Sequence, residues 1–145
     1  MIVYFDASAL VKRYVAEAGS AEVEALIREA RPAGTVIVSR AEVVAGLARA
    51  MRARMVTPEV ASKARAAFQA DWESMVRVQV GEALAARAAT LAWEQGLRGY
   101  DAVHLAAALT WRETLDEPLT LATYDRELWR GAQASGLLPW PAVMP

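Results

Sequence analysis

Four acidic side chains lie at points of the sequence where an α/β protein would place reactive groups. Asp6 directly follows the short apolar run 2–5, and Asp125 comes three residues after a similar run at 119–122. Glu42 and Asp101 each lie in the first turn of an expected helix. Reactive sites of open α/β sheets form beyond the carboxyl ends of the strands. We therefore expect four carboxylates from four distant segments to converge.

Carboxylates that converge require a cation. Two bare carboxylates about 4 Å apart repel each other by roughly 4 kcal/mol at an effective dielectric constant near 20. Mg²⁺ or Mn²⁺ cancels this repulsion and prefers hard oxygen ligands. Such an ion can generate a hydroxide nucleophile and stabilise the leaving oxygen of a phosphodiester. The four acids therefore predict hydrolysis of a phosphate ester.

Each acid also has a purely structural interpretation. Glu42 completes a capping box with Ser39, in which the glutamate reaches back to the serine backbone N–H. Asp101 and Asp125 could each cap a helix, which is the favoured role for Asp101 taken alone. Backbone N–H groups of the next helix could satisfy the charge of Asp6. The set of four, rather than any single member, favours function.

Two hydroxyl residues and one histidine accompany these acids. Ser8, two residues after Asp6, could orient that carboxylate or hold a metal-bound water, although a plain hydrogen bond at a helix N-terminus is as good an interpretation. Thr123 is likewise two residues from Asp125 and could support that acid in the same way. His104, one turn beyond the third acid, is expected to be a packed, hydrogen-bonded residue rather than a catalytic base.

Arginines supply local positive charge. Arg13, Arg40 and Arg49 could bind the phosphates of a nucleic acid. Arginines near the C-terminus of a helix also simply complement the helix dipole, and both interpretations stay open. The chain carries 16 Lys and Arg against 17 Asp and Glu, a net charge of −1. Bulk charge therefore does not attract it to nucleic acid, and local patches must do so.

Composition limits the class of protein. The 145 residues, 55% of them hydrophobic, fit one domain spanning 1–145 with a buried core. The absence of cysteine excludes disulfides, thiolate catalysis and cysteine-based metal sites. Dinucleotide, P-loop and serine-hydrolase motifs are absent. No segment is expected to span a membrane and no basic region precedes residues 1–5, so we expect a cytoplasmic protein.

Short apolar runs alternate with helical patterns along the chain. The runs predict buried strands at 2–5, 35–38 and 119–122, an edge strand within 75–80, and a last strand at 137–140. Helices are expected between them, with N-caps at Ser20 and Thr57. The helix at 102–111 is apolar nearly all round and must be covered on most sides. This alternation predicts a mainly parallel sheet with helices on both faces.

Four segments together resemble the PIN-domain family, and most closely its VapC-type toxin ribonucleases. They are D-A-S-A-L-V-K-R-Y at 6–14, S-R-A-E at 39–42, Y-D-A-V-H-L-A-A-A at 100–108 and T-Y-D at 123–125. They occur in the family's order over nearly the whole chain. Between residues 57 and 80 no family motif is recognised.

The resemblance implies a three-layer α/β/α sandwich and a Mg²⁺- or Mn²⁺-dependent endoribonuclease. It implies an acidic quartet of Asp6, Glu42, Asp101 and Asp125, with the three aspartates as metal ligands and with Ser8 and Thr123 at the family's supporting hydroxyl positions. It also implies the toxin of a toxin–antitoxin pair, usually dimeric and inhibited by a small DNA-binding antitoxin.

Two other functions remain open from the sequence. A phosphomonoesterase of the haloacid-dehalogenase type also begins with an aspartate after its first strand. That class needs an acid two residues later, where this chain has Ser8. The other alternative is a catalytically inactive binding module in which the carboxylates only cap helices or bind the basic tail of an antitoxin.

Overall fold

The computed structural model describes residues 1–145, which form five strands and seven helices. In chain order these are β1 Ile2–Phe5, α1 Ala7–Tyr14, α2 Ser20–Glu29, β2 Ala33–Val36, α3 Ser39–Arg52, α4 Pro58–Trp72, β3 Val76–Val78, α5 Glu82–Gln95, α6 Gly99–Leu115, β4 Leu119–Ala122, α7 Arg126–Ala134 and β5 Leu138–Trp140. None of the helices combines the length with the apolar character needed to cross a bilayer.

All five strands form one parallel sheet in the order β3-β2-β1-β4-β5. The central strand β1 is buried along its whole length, which explains why it is apolar without alternation. Tyr4 faces a core built with α5, α6 and α7, whereas Val3 and Phe5 face a core built with α1 to α4. The expected three-layer α/β/α sandwich is therefore confirmed.

Strand β2 is offset from its prediction. The sequence places it at 35–38, but the strand runs over Ala33–Val36, and Gly34 pairs with Tyr4 of β1. A Cβ at Gly34 would lie 2.6 Å from the Trp111 ring, so the strand needs glycine where the helix α6 packs against it. Val38 is 39% exposed and belongs to the turn into α3, despite its high β-propensity.

The N-caps follow the sequence in part. Thr57 caps α4 as expected, because its hydroxyl accepts from the Val60 N–H. Ser20 does not cap α2; Gly19 occupies the N-cap with a positive φ of 91°. The Ser20 hydroxyl instead accepts from the Glu17 N–H and donates to the Val15 carbonyl, so it closes the turn before the helix.

Helix α6 lies inside the molecule and carries part of the candidate site. Nine of its residues are buried, among them Asp101 and His104. It packs against α5 and α7 and against the strands β2 and β4. This confirms that the apolar segment 102–111 is covered on most sides, and it places Asp101 at the end of α6 nearest the loops that follow the strands.

Candidate acidic active site

One cavity of about 730 Å³ collects the four acids predicted from the sequence. Its walls include Asp6, Glu42, Asp101 and Asp125, together with Ser8, Lys12, Arg49, Tyr100, His104 and Tyr124. Asp6 directly follows β1, and Asp125 comes three residues after β4. The sheet is parallel, so these two residues lie at the same edge. Four segments that are distant in sequence therefore meet at one opening.

Asp6 is held in one orientation by three donors. The Thr123 hydroxyl donates to Oδ2 at 2.6 Å, and the Ala9 N–H donates to Oδ1 at 2.9 Å as the N-cap bond of α1. The Ser8 hydroxyl lies 2.7 and 2.9 Å from the two carboxylate oxygens. Burial raises the pKa of Asp6, and the nearby His104 and these donors only partly oppose that rise.

The same hydroxyls join the ends of β1 and β4. The Ser8 oxygen accepts from the Tyr124 N–H at 2.9 Å, and the Thr123 oxygen accepts from the Asp125 N–H at 3.0 Å. Ser8 therefore bonds the Asp6 carboxylate, the geometry expected for one of the three roles left open for it. Thr123 contacts two of the acids, because it receives a bond from the Asp125 backbone and donates its own proton to Asp6.

Glu42 is oriented by a histidine instead of a capping box. Ser39 does not cap α3, because Val38 is the N-cap and the Ser39 hydroxyl bonds the Thr35 hydroxyl at 2.7 Å. Glu42 Oε1 lies 2.8 Å from His104 Nε2. The capping-box interpretation is therefore wrong, since the serine is buried against the sheet and the glutamate turns towards the cavity.

His104 connects this glutamate to the central strand. Its Nδ1 lies 2.7 Å from the Tyr4 hydroxyl, and the ring is almost fully buried. A neutral ring satisfies both contacts when Tyr4 donates to Nδ1 and Nε2–H donates to Glu42. Burial disfavours the charged ring, but the hydrogen bond to Glu42 and the charges of Asp6, Glu42 and Asp101 together raise the pKa of His104. The structure thus agrees with a packed, hydrogen-bonded histidine.

The other two acids share an arginine that the sequence analysis missed. Arg98 Nε donates to Asp101 Oδ2 at 3.0 Å, and Arg98 Nη2 donates to Asp125 Oδ2 at 2.5 Å. Asp101 is the third residue of α6 and does not cap it, whereas Asp125 does cap α7 by accepting from the Leu128 N–H. An Arg three residues before an Asp at a helix start was the available signal.

Asp101 carries an unfavourable charge despite this partner. Burial, followed by the charge of Asp125, raises the pKa of Asp101, and the hydrogen bond and charge of Arg98 oppose the rise. Burial is also the main cause that raises the pKa of Asp6. Both aspartates therefore resist being ionised, as expected for groups that are stabilised by an added cation.

The three candidate phosphate-binding arginines lie in different places. Arg49 lines the acidic cavity. Arg13 is turned away from it, because its guanidinium pairs with Asp71 at 2.9 Å and with Glu24. Arg40 lies beside a separate groove of about 370 Å³ between α3 and α4. Only Arg49 therefore lies where a substrate at the four acids would meet it.

The donor chemistry of the cavity fits a hard divalent cation. The acids and the hydroxyls of Ser8 and Thr123 supply oxygen ligands only, the set that Mg²⁺ and Mn²⁺ prefer. In the present side-chain positions no three acidic or histidine groups surround one point. In the same positions Arg98 bridges Asp101 and Asp125.

Fold and cavity together define an α/β/α protein with an oxygen-rich acidic site at the carboxyl edge of a parallel sheet. The chain belongs to the PIN-domain family, whose model matches residues 3–133. The family expected from the sequence is thereby confirmed.

Individual relatives extend this similarity over nearly the whole chain. The chain is 37% identical over 143 residues to Ribonuclease VapC45 and to Ribonuclease VapC49, from two strains of Mycobacterium tuberculosis, and each alignment covers 99% of this chain and 97% of the relative. Among solved structures, a toxin–antitoxin complex from Klebsiella pneumoniae superposes with a TM-score of 0.70 at 16% identity and covers 99% of both chains. That structural match supports the fold.

Proposed function

We propose that the protein is a Mg²⁺- or Mn²⁺-dependent endoribonuclease and the toxin of a type II toxin–antitoxin pair. The observation that carries the proposal is the meeting of Asp6, Glu42, Asp101 and Asp125 in one cavity of a PIN domain. Relatives named as ribonucleases, aligned over nearly the whole chain, support an enzyme of the nuclease class.

In this proposal Asp6, Asp101 and Asp125 hold the metal. The bound ion would supply Lewis acidity and a hydroxide nucleophile at neutral pH. Ser8 and Thr123 keep the Asp6 carboxylate in a single orientation. This carboxylate therefore loses no conformational freedom when it binds the ion. The two hydroxyls are thus supporting residues of the metal site.

Glu42 is the acid best placed to accept a proton. Its Oε1 receives the hydrogen bond from His104, whereas Oε2 has no hydrogen-bond partner in the protein. We assign Oε2 the role of taking the proton from the attacking water. Arg49, which lines the same cavity, is the residue we assign to an RNA phosphate.

The partners form part of the same proposal. RNA is the substrate, a cognate antitoxin covers the site, and the chain pairs as a homodimer in the cytoplasm. The structural relatives support the antitoxin, since they include a toxin–antitoxin complex from Klebsiella pneumoniae and VapBC2 from Rickettsia felis bound to a DNA fragment from their promoter.

The phosphomonoesterase alternative has less support. The residue two positions after Asp6 is Ser8, and its hydroxyl is engaged with the Asp6 carboxylate and the Tyr124 N–H. It therefore does not provide the second acid which that chemistry needs. An inactive binding module predicts neither RNA cleavage nor a metal requirement, so one experiment separates all three functions.

That experiment compares the wild type with the Asp6→Asn/Asp101→Asn double variant on structured RNAs and, in parallel, on a phosphomonoester, with Mn²⁺, with EDTA, and with Mn²⁺ restored. We expect internal cleavage that EDTA abolishes, that Mn²⁺ restores, and that the double variant lacks. Asp116→Asn is the matched control, because Asp116 is exposed at the opposite end of α6 from Asp101. Cleavage that persists in EDTA or in the double variant would refute the proposal, and turnover of a phosphomonoester alone would favour the alternative.

A further inference from the structure

The positively charged side chain of Arg98 contacts two of the proposed metal ligands. Its Nε bonds Asp101 at 3.0 Å and its Nη2 bonds Asp125 at 2.5 Å. In both aspartates the contacted oxygen is Oδ2. A single guanidinium therefore joins carboxylates from α6 and from the start of α7.

The three side chains differ in how freely they can move. The Asp101 side chain is 3% exposed and that of Asp125 is 24% exposed, whereas Arg98 is 58% exposed. Asp125 is also fixed through Oδ1, which accepts from the Leu128 N–H at 3.0 Å. The carboxylates thus keep their places, and the arginine is the partner that can leave.

Little else holds the arginine in position. Arg98 precedes α6 as its N-cap residue, and its side chain makes no capping bond. Apart from the two carboxylates, its guanidinium contacts the ring of Tyr100, 4.8 Å from the ring centroid. Tyr100 is itself about half exposed, so this contact places no barrier between the arginine and solvent.

We propose that Arg98 is a built-in counter-cation that occupies Asp101 and Asp125 while no metal is bound and that must release both oxygens when a metal ion binds. The inference rests on the proposed metal-dependent function. A guanidinium and a divalent ion compete for the same Oδ2 atoms, because neither oxygen can serve both at full strength. The arginine stabilises the metal-free fold and weakens metal affinity by the same interaction.

The competition predicts a measurable change in affinity. Because Arg98 is largely exposed, solvent weakens its ion pairs. We therefore expect the free energy of these contacts to lie at the smaller end of the range for hydrogen bonds to charged groups. Removing it should tighten Mn²⁺ binding by about tenfold. Arg98→Lys keeps the charge but not the forked geometry, so its Mn²⁺ affinity should lie between those of the wild type and Arg98→Gln.

The test is calorimetric titration of the metal-free full chain with Mn²⁺, accompanied by melting curves. We expect Arg98→Gln to bind Mn²⁺ more tightly, to melt at a lower temperature without metal, and to gain more stability than the wild type when Mn²⁺ is added. Arg130→Gln is the matched control, since Arg130 is similarly exposed and pairs with Glu127 on α7. It should leave the Mn²⁺ affinity unchanged.

Three results would overturn the inference, and the first of them leaves the proposed function standing. Unchanged or weaker Mn²⁺ binding by a folded Arg98→Gln variant, while the wild type binds the ion, would refute the counter-cation role alone. Failure of the wild type to bind Mn²⁺ at all would refute both proposals. An equal tightening in Arg130→Gln would show a general charge effect and would also refute the specific role of Arg98.

Discussion

Replacing Thr123 by valine tests the hydroxyl that connects the two central strand ends. Thr123 is fully buried, and its hydroxyl donates to Asp6 Oδ2 at 2.6 Å while accepting from the Asp125 N–H at 3.0 Å. Valine keeps the branched shape and removes both bonds. The change therefore isolates the hydrogen bonds from the packing.

The expected loss of stability follows from these two bonds. A hydrogen bond to a charged group contributes about 1.5–3 kcal/mol, and the N–H left without its acceptor adds to the cost. We expect Thr123→Val to reduce the free energy of unfolding by about 2–4 kcal/mol. We also expect Mn²⁺ binding to weaken by about 10- to 100-fold, as is usual when the support of a metal ligand is removed.

The loss should depend on pH in a defined direction. Burial raises the pKa of Asp6, and the Thr123 donor lowers it by stabilising the ionised form. The Thr123 contribution is therefore full where Asp6 is ionised and shrinks as the pH falls through the Asp6 pKa. Urea denaturation of the metal-free protein at neutral and at acidic pH measures this difference.

Two matched variants control the experiment. Thr120→Val makes the same chemical change on β4, where the hydroxyl takes part in no hydrogen bond, and should alter neither stability nor Mn²⁺ binding appreciably. Thr123→Ser retains the hydroxyl and should recover most of the Mn²⁺ affinity. Equal losses in the two valine variants, or a loss for Thr123→Val that does not change with pH, would refute the reasoning.

Two further predictions concern the packing of the sheet and the support of Glu42. Gly34→Ala should destabilise the protein by about 1–3 kcal/mol in urea denaturation, because a Cβ there would lie 2.6 Å from the Trp111 ring. Gly99→Ala, at the first residue of α6 with open space around its Cβ, should cause no such loss, and equal losses would contradict the packing argument. The pKa of His104 is raised above its ordinary 6.5, so its charged form stabilises the fold below that pH and this contribution disappears as the pH rises through the folded pKa. Melting curves should therefore show a larger deficit for His104→Gln in acid than in alkali, and a deficit independent of pH would exclude the charged contact with Glu42.

Residues that follow a buried strand were the predictable part of the site. The runs 2–5 and 119–122 form β1 and β4 with the bounds that the apolar pattern indicated. Strands buried on both faces must be apolar throughout, and their ends are fixed by the first charged or polar residues. Asp6 was therefore placed beside the carboxyl end of β1 by local sequence alone, and Asp125 was placed near it because both strands had to belong to one parallel sheet.

Contacts between distant segments were the unpredictable part. Gly34 lies within β2 against the Trp111 ring, a contact with a residue 77 positions away, and the strand ends at Val36 although residues 37 and 38 have high β-propensity. The sequence around Glu42 fitted a local capping box equally well. Its actual partner is His104, 62 residues away in the chain. Local patterns cannot rank such partners, because the competing hydrogen bonds have similar strength.

The sequence by itself determined the parallel α/β architecture, the four acids and the strand ends and helix starts from which they project, since apolar runs and helix or strand periodicity are local properties of the chain. Only the tertiary structure decided which groups satisfy those acids. Arg98 bridges Asp101 and Asp125, Arg13 is taken by Asp71, and Arg49 alone among the candidate arginines lines the cavity. The physical reason is that an ion pair depends on distance and burial in three dimensions, which the spacing of charges along the chain does not specify.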